Sequence, residues 1–136
     1  MRKLILTIGI LMMMLNVIAQ TIPTRDEFFK VCDSLEIHHP YVVWAQARHE
    51  SGNFTSDNYR HKNNCLGIYD SKNKRYDSFG SWQECLSAYK DRFQYRCTNI
   101  TCSDEAYLSE LVQRGYAADK NYYARIIRIV NQEKKR

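Results

Sequence analysis

Glu50 is the residue around which acid chemistry can be built in this chain. It ends an apolar stretch with helical spacing (Val43, Trp44, Ala47), and Ser51 and Gly52 follow it at once. A carboxyl works as a proton donor near neutral pH only if its pKa rises from ~4.3. Desolvation by apolar or aromatic neighbours does this, because it penalises the charged form. One bond that needs such a donor is a glycosidic bond, whose oxygen leaves poorly until it is protonated. Spacing alone favours a plainer reading, since most glutamates at helix ends face solvent.

Glycoside cleavage also calls for a base or nucleophile at a set distance from the acid, or for a substrate group in that role. Asp70 and Asp77 flank the short segment Ser71-Lys72-Asn73-Lys74 and are the carboxylates to consider. Asp70, nearer the turn, is the preferred partner. Asp77 is equally suited to capping the next helix. Other chemistries find less support. His38, His39, His49 and His61 do not fall at the spacing of a metal-binding helix, no close cysteine pair has C-x-x-C spacing, and no nucleophile-elbow motif occurs.

The elements that must hold Glu50 follow from capping and periodicity. Thr24 and Glu27 fit a capping box, and Phe28, Val31, Cys32 and Leu35 mark a first helix over Asp26 to Glu36. Pro40 suits the first turn of a second helix, which carries Glu50 in its last turn. Gly52 can take the left-handed conformation that stops it. A polar loop then runs to Asn63-Asn64. Leu66 to Asp70 and Arg75 to Phe79 read as two strands too short to stand alone. Ser81 with Glu84 forms a second box, opening a helix to about Arg96 through Trp82, Cys85, Leu86, Tyr89 and Phe93. Tyr107, Leu108, Leu111 and Val112 define a fourth helix closed by Gly115. Asp119 caps a fifth, with Tyr123, Ile126, Ile127 and Val130 inward. The expected class is α+β, mainly helical, with five helices and one small β-hairpin.

The 136 residues allow one domain. Arg2 and Lys3, the apolar run Leu4 to Val17 and the small residue Ala19 form a secretory-signal pattern over residues 1–19. That run is short for a span of ~20 residues. Residues 20–136 are then the folded domain, with no stable membrane insertion once the signal is removed. Without Arg2 and Lys3 the chain keeps 18 basic and 15 acidic side chains, too mild a balance to argue for nucleic acid. Five cysteines in an exported chain allow at most two internal disulfides. Cys97 and Cys102, the nearest pair and set on either side of a loop, are the best candidate bridge. Buried thiols are as good a reading of Cys32, Cys65 and Cys85.

Four fragments occur in order: Glu50-Ser51-Gly52-Asn53-Phe54 with Ser56; Asn63-Asn64-Cys65-Leu66-Gly67-Ile68; Tyr76-Asp77-Ser78-Phe79; and Gly115-Tyr116-Ala117-Ala118-Asp119 with Tyr122. Together they resemble the bacterial glucosaminidase family of peptidoglycan hydrolases, glycoside hydrolase family 73. The resemblance covers nearly all of Trp44 to Val130 and implies a lysozyme-like domain. It implies Glu50 as the general acid for the bond between N-acetylglucosamine and N-acetylmuramic acid, with Tyr116 lining the cleft beside it. Asn63 and Asn64 would open the hairpin and shape the site for substrate, and Tyr76 would lie near the sugar. The family has an aromatic residue after its Asn-Asn-Leu, where this chain has Cys65-Leu66, a change in packing rather than in class. The expectation is a monomer, exported to the periplasm or the extracellular space, acting on peptidoglycan glycan strands without metal or organic cofactor. A lytic transglycosylase on the same fold and a non-catalytic wall-binding module remain the alternatives.

Overall fold

The computed structural model describes residues 21–136, and the signal segment expected over residues 1–19 lies outside the described residues. Thr24 opens α1 (Arg25–Ser34) with both halves of the capping box. Its Oγ1 accepts the Glu27 N–H at 3.2 Å, and Glu27 Oε2 accepts the Thr24 N–H at 2.8 Å. Helix α2 (Pro40–Glu50) starts at Pro40 and is buried continuously from Val42 to Ala47. Such a helix belongs in the centre of a domain, since each buried aliphatic or aromatic side chain contributes about 1.5–3 kcal/mol. Gly52 follows its end at φ +57°, as expected for a left-handed stop.

The segment expected as a polar loop contains a further helix, α3 (Asp57–Lys62), capped by Ser56, whose Oγ accepts the Tyr59 N–H. The hairpin is smaller than expected: β1 (Tyr69–Asp70) and β2 (Arg75–Tyr76) are antiparallel with Tyr69 opposite Tyr76. Helix α4 (Trp82–Arg92) stops before Arg96, and a 3-10 turn (Gln94–Arg96) follows. Its capping box is half formed. Ser81 Oγ accepts the Glu84 N–H, but Glu84 Oε2 reaches Gly80 N–H at 2.8 Å instead. Then come α5 (Asp104–Gln113) and α6 (Tyr122–Glu133). The inward face of α6 is Tyr122, Ile126 and Val130, one position from the expected Tyr123 and Ile127, which are half-buried. Asp119 does not cap α6 at its N-cap position. It sits two residues earlier, accepting the Asn121 N–H at 2.9 Å.

The described residues thus hold six α-helices and a two-stranded sheet, with α2 making its widest contact with α6. The mainly helical α+β class stands, with one helix more than the sequence pattern gave. All five cysteines are thiols. The expected Cys97–Cys102 bridge is not formed; Cys97 Sγ faces the Phe93 carbonyl at 3.7 Å. Cys32, Cys65 and Cys85 are buried, and the Cys65 and Cys85 thiols are hydrogen-bonded to each other. No described helix is long and apolar enough to cross a membrane.

Candidate active site

The chain turns sharply after Glu50, and the turn is held by its own side chains. Ser51 is fully buried; its Oγ donates to the Ala47 carbonyl (2.5 Å) and accepts the Phe54 N–H (2.8 Å). Gly52, Asn53 and Phe54 all have positive φ, which is strained for a residue as bulky as Phe54. Burial of the Phe54 ring against Trp44, Phe28 and Tyr59 offsets that strain. From the far side, Arg48 donates to Asn53 Oδ1 (2.9 Å) and pairs with the buried Glu133 of α6 (2.5 Å). The end of α2 is therefore fixed from three directions.

Opposite it stands the hairpin base. Asn64 is fully buried and acts as a clamp: Nδ2 donates to the carbonyls of Ile68 (2.8 Å) and Asp77 (3.0 Å), and Oδ1 accepts the Ile68 N–H (2.9 Å). Its amide is committed inside the fold, to the backbone of the hairpin. Asn63 takes a left-handed conformation at the end of α3 and donates to the Phe79 carbonyl at 2.9 Å. Both asparagines donate to backbone carbonyls of the hairpin or of the residues just after it. Between the hairpin base and α2 lies Gly67, at φ +62°, where a Cβ would come within 3.0 Å of Glu50 Oε2.

Glu50 and Gly67 lie in a cleft of about 420 Å³, which His49, Tyr69, Tyr116 and Tyr122 also line. Burial pushes the Glu50 carboxyl above its ordinary value; a hydrogen bond from Tyr122 and the nearby His49 oppose the rise. Tyr116 is on the cleft wall. Its hydroxyl donates to the Leu66 carbonyl at 3.2 Å, and its ring packs on Phe93 and Tyr122. Burial drives the Tyr116 and Tyr122 phenols up, so both stay neutral donors. Tyr76 is half exposed on the hairpin and is not among the cleft-lining residues; its ring meets that of Tyr69, which is.

Asp70 is not among the residues that line the cleft. Its carboxylate closes its own turn, accepting the N–H groups of Lys72 (3.0 Å) and Asn73 (3.1 Å) and the Asn73 side chain (2.6 Å). The Asn73 side-chain bond leads the causes that hold its pKa below the usual carboxylate value. Asp77 is paired with Arg92. The other carboxylate lining the cleft is Asp119, tied to Arg125 (2.6 Å) and to the Asn121 N–H. Among the described residues no group of three or more His, Cys, Asp or Glu side chains could hold a metal ion.

Sequence reasoning gave no role to Tyr122, Tyr69 or His49. Tyr122 stood in the last fragment, four residues before Ile126 on one helical face, and that spacing makes it look like core. His49 adjoins the acid in sequence, and the structure puts it on the cleft wall, with its ring edge-on to Tyr122.

A family model named Glucosaminidase, described as mannosyl-glycoprotein endo-beta-N-acetylglucosaminidase, matches residues 26–135. The fold is similar to the catalytic domain of the autolysin Auto from Listeria monocytogenes, with a TM-score of 0.58 and 19% identity, covering 87% of this chain and 89% of that one. At this identity the likeness concerns the fold. Comparison with curated proteins gives no match.

Proposed function

Because the chain belongs to the glucosaminidase family of glycoside hydrolases, we propose that it cleaves the bond between N-acetylglucosamine and N-acetylmuramic acid in peptidoglycan, with Glu50 as the general acid. The observation that carries this reading is the environment of Glu50. Its carboxyl lies in the cleft, packed on Gly67, and burial favours the protonated form a donor needs. Glu50 gives its proton to the glycosidic oxygen as the bond lengthens, and the Tyr122 hydroxyl stabilises the carboxylate left behind.

Asp70 and Asp77 do not line the cleft, and Asp119, which does, is paired with Arg125, so a substrate group is favoured over a second carboxylate. The acetamido group of the substrate takes the nucleophile's place, attacking the anomeric carbon from its own sugar. Water then opens that intermediate, with Glu50 acting as base. A lytic transglycosylase is favoured by the same single acid and remains the second reading; there a sugar hydroxyl takes water's place. Tyr69 and Tyr76, paired on the hairpin, offer an aromatic surface to the sugar chain. The pattern of residues 1–19 supports export, to the periplasm or beyond it.

Purified peptidoglycan incubated with the wild-type chain and with Glu50→Gln tests the reading. The wild type releases new reducing ends carrying N-acetylglucosamine, and Glu50→Gln loses them by at least about 100-fold. Mass spectrometry of the products separates hydrolysis from anhydro-sugar formation. Full release by Glu50→Gln would remove Glu50 from the mechanism.

A further inference from the structure

Behind the cleft a line of polar side chains crosses the core. Tyr122 on α6 lines the same cleft as Glu50 and is the group that most opposes the rise of its carboxyl. Gln46 on α2 donates from Nε2 to the Tyr122 oxygen at 3.2 Å and accepts the Tyr89 hydroxyl of α4 on Oε1 at 2.7 Å. The hydroxyls of Tyr89 and Tyr107 on α5 are 2.7 Å apart. Gln94, in the 3-10 turn, donates from Nε2 to the Tyr107 oxygen at 3.1 Å. Gln46, Tyr89, Tyr107, Tyr122 and Gln94 are all buried, from 0 to 3% exposed, so each of these bonds excludes water. A packed apolar core would be the cheaper arrangement, because partly satisfied buried networks are costly.

The direction of the chain is fixed at its far end. Gln94 grips the backbone of His38: Oε1 accepts the His38 N–H at 3.0 Å, and Nε2 donates to the His38 carbonyl at 2.7 Å. That grip settles which way the amide lies and leaves its second hydrogen for Tyr107. Tyr107 must then donate to Tyr89, and Tyr89 to a carbonyl, so Gln46 presents Oε1 to it. The Gln46 amide nitrogen therefore faces Tyr122, which leaves the Tyr122 hydrogen free to turn to the cleft that Glu50 also lines. We infer that this buried series, Gln94–Tyr107–Tyr89–Gln46–Tyr122, is a polarised hydrogen-bond chain that makes Tyr122 an obligate donor to Glu50. Its members beyond Tyr122 are positioning residues acting from the core behind the cleft.

Reversal of the chain would turn Tyr122 into an acceptor, which suits the protonated acid and leaves the carboxylate unsupported. With Tyr122 as donor, the bond strengthens as the proton departs. Burial then raises the acid without locking its proton in place. The other titratable groups around Glu50 are His49 on its own helix, Tyr116 and Asp119 ahead of α6, and Tyr69 from the hairpin. None of them is hydrogen-bonded to Tyr107 or Gln94.

The inference rests on Glu50 as the acid, but its test needs no substrate. The Glu50 carboxyl is titrated by NMR in the full chain carrying isotope-labelled glutamate, assigned by its loss in Glu50→Gln. Tyr122→Phe raises the midpoint by about one pH unit. Tyr107→Phe, an isosteric change that cuts the chain from its anchor, raises it by a smaller step in the same direction. Tyr123→Phe, half-buried on α6 and outside the chain, leaves it in place. Tyr89→Phe repeats the test should Tyr107→Phe fail to fold. An unchanged or lowered midpoint in folded Tyr107→Phe or Tyr89→Phe overturns the polarised chain. An inactive wild type that shows these shifts would remove the glycosidase reading and leave the chain standing.

Discussion

A methyl group at Gly67 would sit 3.0 Å from Glu50 Oε2 on a backbone at φ +62°, where any side chain is strained. Gly67→Ala should therefore cost about 1–2 kcal/mol of stability and at least about tenfold in activity, read by thermal melting and by reducing-end release. Glu50 itself works against the fold. Its pKa is raised on folding, so its favourable state holds below the ordinary glutamate range and is lost as pH rises through the raised value. Glu50→Gln should melt higher than wild type at neutral pH, and the gain should vanish below about pH 4. Asp70 titrates the other way. Its pKa is lowered by bonds within its turn, so Asp70→Asn should loosen the hairpin slightly and leave activity within about threefold, measured on soluble glycan. A loss as large as that of Glu50→Gln would return Asp70 to the mechanism.

The elements divide by how local their signals are. Pro40–Glu50 and the Thr24–Glu27 box were legible because a proline, a glycine and a capping pair each act within one turn. Helix α3 was not, because its six residues bury only Tyr59 and show no apolar period; Ser56 was its one signal. The family fragments led to Glu50, Tyr116 and the asparagines, but not to the different uses the two asparagines have. Asn64 is spent as a clamp on the hairpin, and only the carbonyls of Ile68 and Asp77, set by tertiary structure, reveal it. Asn64→Ala should then cost about 2–3 kcal/mol by denaturant unfolding, from the buried partners it leaves unpaired. Asp70 shows the converse: a carboxylate beside a turn looks available until the turn's own N–H groups are counted.

Across the described residues, α2 carries Glu50, α6 packs on α2, and the buried polar series ties both to α4 and α5. The same core encloses Cys32, whose thiol burial pushes up to about 12, together with Cys65 and Cys85. A thiol reagent at neutral pH should label Cys97 and Cys102 first, and the buried three only on unfolding. The central claim is that burial raises the Glu50 carboxyl above the ordinary glutamate value. The most direct test compares the alkaline limb of kcat/KM on soluble glycan with the NMR titration of the Glu50 carboxyl. Both midpoints should coincide, above the ordinary glutamate value. A carboxyl that titrates near ~4.3, or a limb that stays put while Glu50 titrates elsewhere, would contradict it.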